Sequence, residues 1–316
     1  FIYDLQLMER IATVLGKQQD AARFRELLTA RKAFFNRTYI DRESGKTIHS
    51  GFREPHRKGE TIGTQTSYLL PLAFDICNDT VRERMVDQLL ARIEHPGKEE
   101  FPPYSLMTGF IGTAWLNRVL SDLGHSETAY RIFQQTSYPS WLYSVDQGAT
   151  TIWERLNSYT REHGFSGNNS MNSFNHYSFG AIGSWMLNHS AGIERDENEP
   201  GFKHFILQPE PDPTGEMTWA KGSYDSPYGR IESEWRLTGD RCNYRFKVPA
   251  NTTATLYLPA PERAAVRVGN KGLTSSPLLE VTGEKGGKVI MELQPGEHRF
   301  TVRYRAGTIL NPSISK

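Results

Sequence analysis

The chain has almost no cysteine, no apolar run long enough to cross a bilayer, and no excess of charge of either sign. Two cysteines are present among 316 residues. Cys77 lies in a helical pattern and Cys242 in a strand pattern, so no disulfide framework is expected. The 37 basic and 36 acidic side chains nearly cancel, leaving a net charge of +1. There is no basic block either, which speaks against nucleic acid or an anionic membrane as the main partner. The nine histidines show no paired ligand spacing, so neither a metal nor another cofactor is expected. Nucleophile-elbow, phosphate-cradling and dinucleotide glycine motifs are all missing, which removes the common hydrolase, kinase and dehydrogenase patterns. No repeat at solenoid spacing occurs.

What is present is enough apolar material, 37% of residues, to build a sizeable core, and enough length for two domains. Leu7, Ile11, Val14 and Leu15 share a helical face, and Gly16 closes that helix. This first helix begins without a Met and without a cap, so the chain reads as the later part of a longer polypeptide. A second helix runs over 20–35, and 39–63 is a polar connection. Further helices are expected over 64–76, where Pro71 marks an end or a kink. Others follow over 81–93 with a stripe of Val86, Leu89, Leu90 and Ile93, then over 109–123, 126–135 and 174–189. Such helices form hairpins joined by alternating short and long links, which can close into a toroid with a cleft at the loop end.

Near Gly201 the period changes from 3.6 to two. Ile231, Ser233, Trp235 and Leu237 alternate with charged residues. Tyr244, Phe246 and Val248 follow, then Leu256 and Leu258, then Val289, Met291 and Leu293, then Phe300, Val302 and Tyr304. Turn residues separate them at 238–240, 269–270, 283–287 and 295–296. The expected architecture is therefore multidomain, α then β: a helical domain over 1–203 and an antiparallel β-sandwich over 204–316.

The chemistry concentrates in two stretches, GATTIWER (148–155) and SFNHYSFGAIGSW (173–185), joined by a Gly/Asn-rich loop over 164–172. Glu154 offers a proton acceptor beside the flat apolar face of Trp153, a combination a sugar cleft needs. The plainer account is a surface Glu favoured by a helix dipole. Gln147, Arg155 and Asn157 lie close by in sequence, and Arg155 is placed to keep the carboxylate ionised. Asp146 is a further candidate to assist it. His176, flanked by Asn175 and Tyr177, reads either as a core histidine or as a hydrogen-bond partner for a sugar hydroxyl. Trp153 reads either as core or as a sugar platform. Trp115, Trp141 and Trp185 read as core, and Lys98, Glu99 and Glu100 as a solvated loop.

The segments TQTSYLLPLAF (64–74), TGFIGT (108–113), GATTIWER (148–155) and MNSFNHYSFGAIGSW (171–185), in that order, resemble bacterial α-L-rhamnosidases of glycoside hydrolase family 78. The resemblance runs from the first residue to beyond Gly201. It implies a partial (α/α)6 toroid followed by a C-terminal β-sandwich. It also implies an inverting exo-hydrolase acting on a rhamnose-containing glycan or glycoside, with Glu154 as general base and His176 in contact with the rhamnose ring; the residues themselves add Trp153 and Asn175 as candidates for binding the sugar. The family's acid is a Glu in an acidic, Arg-containing motif that has no match here, so it is expected upstream. The chain alone is then expected to be inactive, and to fold against a missing N-terminal part of the same polypeptide, because an open toroid exposes apolar surface. Two other outcomes stay open: another toroidal glycosidase or sugar phosphorylase, and a carbohydrate-binding fragment without catalysis.

Overall fold

The structure is a computed structural model and describes residues 1–165 and 170–304. Part of the 164–172 loop, residues 166–169, lies outside the described residues, as does the end of the chain from 305 onward. The chain divides into two compact units. One comprises Phe1–Val119 with Ile132–Phe179, the other Leu120–Arg131 with Gly180–Lys316.

The helical elements are α1 (Ile2–Val14), α2 (Gln18–Tyr39), α3 (Gln65–Ala73), α4 (Asp79–Glu94), α5 (Gly109–Thr113), α6 (Leu116–Asp122), α7 (Ser126–Gln134), α8 (Trp141–Asp146) and α9 (Ile182–Trp185). Three residues join α1 to α2, so the two pack as a hairpin. Gly16 supplies the left-handed turn at φ +69°. The face of α1 expected to be buried is not covered: Ile11, Val14 and Leu15 are all exposed, while Leu5 and Ala12 are buried. Near the end of α2, Asn36 is buried. Its amide donates to the Ile76 carbonyl at 2.7 Å and its oxygen accepts the Asn78 N–H at 3.0 Å, which fixes α2 to the turn before α4.

Helix α3 starts at a capping box, in which Thr64 and Ser67 exchange side-chain and backbone bonds. It stops two residues after Pro71, whose missing N–H weakens the last turn. In α4 the buried stripe is Val81, Met85, Leu89 and Ile93. That is an i, i+4 row, rotated from the expected one, with Val86 and Leu90 at its edge. The helix expected over 109–123 is broken into α5 and α6. Gly112 lets α5 approach α3: a Cβ there would meet Thr66 Oγ1 at 2.6 Å. The helix expected over 174–189 is likewise irregular, a 3-10 turn over Ser178–Ala181, then α9, then a π turn over Met186–Ser190.

The β elements are β1 (Ile193–Arg195), β2 (His204–Leu207), β3 (Trp219–Ser226), β4 (Gly229–Thr238), β5 (Arg241–Val248), β6 (Thr253–Pro259), β7 (Val266–Val268), β8 (Lys271–Gly272), β9 (Leu279–Lys285), β10 (Lys288–Leu293) and β11 (Gly296–Arg303). They form a five-stranded sheet, β1-β2-β6-β10-β9, and a six-stranded sheet, β3-β4-β5-β11-β7-β8. Every pairing is antiparallel except β2 with β6.

The core lies between the inner faces. Phe205, Leu256 and Met291 from one sheet and Trp235, Phe246 and Val302 from the other are all fully buried. Each such side chain contributes about 1.5–3 kcal/mol through removal from water. The period-two stretches fall in β4, β5, β6, β10 and β11, and their inward positions are the ones that form this core. The indole of Trp235 also donates to the Ser190 carbonyl at 2.7 Å, so its one polar atom is satisfied. Both cysteines are free and buried, and burial pushes the Cys242 thiol up to about 12.

Candidate active site

In the first unit the two chemistry-bearing stretches come together as a short irregular ribbon. The Glu154 N–H donates to the Ser173 carbonyl at 2.8 Å, and the His176 N–H donates to the Ile152 carbonyl at 2.9 Å. The Thr151 hydroxyl donates to the Phe174 carbonyl, closing the ribbon. Trp153, Glu154, Asn175 and His176 therefore sit on one small piece of backbone, despite about 20 residues of separation.

The Glu154 side chain is half-buried, and its Oε2 accepts the Ser173 N–H at 3.0 Å. One oxygen is thereby fixed by backbone, and the carboxylate plane is set by the same loop that carries His176. Arg155 points its guanidinium to the Met171 carbonyl at 3.0 Å and to Asn172 Oδ1 at 3.3 Å. Those bonds hold the returning loop against the GATTIWER segment. Gln147 accepts the Arg161 N–H at 2.8 Å, so it ties down the start of that loop.

His176 is held between two rings. Phe110 of α5 stacks on it with centroids 4.6 Å apart, and Tyr177 stacks on it at 5.4 Å. The Ser178 N–H donates to Nδ1 at 3.4 Å. In the neutral ring this leaves Nε2 carrying the hydrogen, a donor for a hydroxyl oxygen. Tyr177 is 86% exposed and Asn175 is exposed as well. Phe110 had no individual signal in the sequence beyond lying within TGFIGT. Its contact depends on where α5 is carried.

Trp153 lies on the inner side of the ribbon. It is 6% exposed and packs edge-on against Phe174 and Tyr159, with centroids 5.1 and 6.5 Å away. It lines a cavity of about 310 Å³ together with Trp141, Thr151, Ile152 and Phe179. Glu154 is not among that cavity's lining residues, so the carboxylate and the indole serve different faces of the same ribbon. Trp141 is buried and donates to the Phe179 carbonyl at 2.9 Å. Among the described residues no group of His, Cys, Asp and Glu is arranged to hold a metal ion, and no helix is long and apolar enough to cross a membrane.

Along the chain, helical hairpins carry a half-buried carboxylate on a loop ribbon and are followed by a two-sheet sandwich, the order of a six-hairpin helical domain with a β-sandwich after it. Residues 1–190 match the family described as the bacterial alpha-L-rhamnosidase 6 hairpin glycosidase domain, and residues 192–273 match the bacterial alpha-L-rhamnosidase C-terminal domain. The chain belongs to the bacterial α-L-rhamnosidase family.

An alpha-L-rhamnosidase from Formosa agariphila is 34% identical over 96% of this chain, and one from Streptomyces avermitilis is 34% identical over the same share. The crystal structure of the Streptomyces avermitilis alpha-L-rhamnosidase complexed with L-rhamnose superposes with a TM-score of 0.78 at 32% identity, covering 96% of this chain and 26% of that one. An alpha-L-rhamnosidase from Dictyoglumus thermophilum gives 0.78 at 27% identity, covering 96% and 31%. The chain spans 30% and 26% of the length of the two curated relatives. The expected architecture, a partial (α/α)6 toroid followed by a β-sandwich, holds.

Proposed function

We propose that this chain carries the general base of an inverting glycoside hydrolase that removes terminal α-L-rhamnose, and that Glu154 is that base. The observation that carries the reading is the ribbon. It fixes one oxygen of Glu154 through the Ser173 N–H and sets the ring-stacked His176 on the adjoining strand. A carboxylate positioned by backbone and open on its other oxygen is suited to take a proton from water.

In the proposed reaction a water attacks the anomeric carbon from the face opposite the aglycone, giving its proton to Glu154. A carboxylic acid on the other side protonates the departing glycosidic oxygen. The two carboxyl groups need about 6.5–9.5 Å between them to admit that water. The acid is a Glu expected from sequence outside these 316 residues. His176 Nε2–H donates to a ring hydroxyl, and the exposed Asn175 offers its amide to a second. Trp153 forms the apolar wall behind the ribbon. The exposed face of α1, with Ile11, Val14 and Leu15, is covered by the rest of the catalytic domain.

The test is stereochemical. Proton NMR of the full-length polypeptide acting on an aryl α-L-rhamnoside should show β-L-rhamnose first, with the α anomer appearing only by mutarotation. Early release of the α anomer would mean retention, and Glu154 would not be a base acting on water.

A further inference from the structure

The second unit contains a cavity that takes no part in the chemistry assigned to Glu154. We propose that it is a binding site for a neutral sugar ring, a second carbohydrate subsite on this chain. The cavity encloses about 480 Å³ and is walled by the α6–α7 turn, residues 208–213, β6 and the turn between β9 and β10. That volume lies in the range of small-molecule sites.

Two kinds of surface meet in it. One is flat and apolar: the rings of Tyr257 and Tyr304, with Pro211, Pro213, Pro259 and Pro261. Such faces suit the C–H side of a pyranose. The other is a small polar set, Ser126, Gln208, Glu210 and Lys288. Glu210 is fixed in place. Its Oε2 accepts from Ser126 Oγ at 2.6 Å, its Oε1 lies 3.6 Å from His189 Nδ1, and its carbonyl accepts the Tyr130 hydroxyl at 2.6 Å. His189 in turn reaches Asp122 at 3.6 Å through its other nitrogen. Burial works against the charge on Glu210, but His189, Ser126 and Lys288 outweigh it and hold the carboxyl below its ordinary value.

Lys288 and Tyr257 are the open ends of this set. Burial pulls the Lys288 amine below its ordinary value, with Glu210 as the opposing charge. Neither the amine nor the Tyr257 hydroxyl has a hydrogen-bond partner among the described residues. The charged lining nearly balances, with Asp122, Glu127 and Glu210 facing Lys285 and Lys288. A strongly charged ligand gains little there. A hydroxyl, which both donates and accepts, can satisfy Glu210 and Lys288 together. Fixed acceptor, unpaired donor and flat apolar walls are together the requirements of a neutral polyol ring.

The proposal is independent of the role given to Glu154. To test it, the full-length polypeptide carrying Glu154→Gln is titrated calorimetrically with L-rhamnose, D-glucose and D-galacturonate. The same titrations are run after adding Tyr257→Ala, Tyr257→Phe or Lys288→Met. One class of weak sites for a neutral sugar should weaken at least tenfold with Tyr257→Ala and with Lys288→Met. Tyr257→Phe, which keeps the ring, should weaken it less. Identical isotherms in all variants would overturn the proposal, as would galacturonate binding more tightly than either neutral sugar. A variant that melts early is replaced by soaking crystals of the parent with L-rhamnose. Density against Tyr257 supports the site, and an empty cavity at saturating sugar removes it.

Discussion

Replacing Glu154 by Gln separates the proposed base from its scaffold. The glutamine oxygen can still accept the Ser173 N–H that now bonds Oε2 at 3.0 Å, so the ribbon keeps its pairing and His176 its place. What is lost is the basic oxygen on the open side. A positioned general base contributes about 10²–10⁴-fold, and a barrier change of about 2.7–5.4 kcal/mol corresponds to that range. A base in the proposed role acts on water in the transition state and not on a substrate hydroxyl in the ground state, so the loss should fall on kcat, with KM changed by less than about threefold. The assay is steady-state hydrolysis of an aryl α-L-rhamnoside by the full-length polypeptide. Glu154→Ala provides the contrast. It removes base and acceptor together, so KM should rise as the ribbon loosens. It also opens space for azide, which needs no base, to displace the protonated aglycone and yield β-rhamnosyl azide. A Gln variant within tenfold of the parent kcat, or an Ala variant indistinguishable from it in KM, would refute this account of the ribbon.

Three further outcomes follow from the same geometry. His176→Ala removes the Nε2–H donor and the ring between Phe110 and Tyr177; KM should rise about tenfold with the pH profile of kcat unmoved, as expected for one lost hydrogen bond to substrate. Trp235→Phe leaves the Ser190 carbonyl without its 2.7 Å donor and a gap in a fully buried position. It should cost about 2–4 kcal/mol in denaturant unfolding at unchanged slope. Glu210 has a folded-state pKa below its ordinary 4.5, so its contribution is present above that value and is lost as pH falls through the lowered one. Acid unfolding of Glu210→Gln, followed by circular dichroism, should therefore show a shallower loss of stability below about pH 4.5 than the parent. Parallel curves would contradict the depressed value.

The parts of the molecule that were legible in sequence are those whose physics is local. Period two over 231–237 or 289–293 reports a strand with one face on a core, and Trp235 and Met291 are indeed buried there. The short strands escaped because three residues such as Ile193–Arg195 carry no period of their own; their pairing with β2 is a tertiary event. Broken helices were read as continuous for the opposite reason. In 174–189 the apolar spacing suits a helix, yet the backbone must first pair at His176 with Ile152 and then turn into a 3-10 start.

The site divides along the same line. Glu154 and His176 stood out by residue type beside Trp153, whereas the bonds that order them belong to backbone: the Ser173 N–H, the Ile152 carbonyl, the Ser178 N–H. Backbone donors leave no trace in composition. The sugar-sized cavity of the second unit was the least readable, since Ser126, Glu210, Tyr257 and Lys288 come from four distant stretches. Each alone is an ordinary polar residue, and only the cavity they line together brings them into one proposed site. The reach of sequence reading here thus ends where a function is assembled from contacts with no period and no motif, and the variants at Tyr257 and Lys288 probe that region directly.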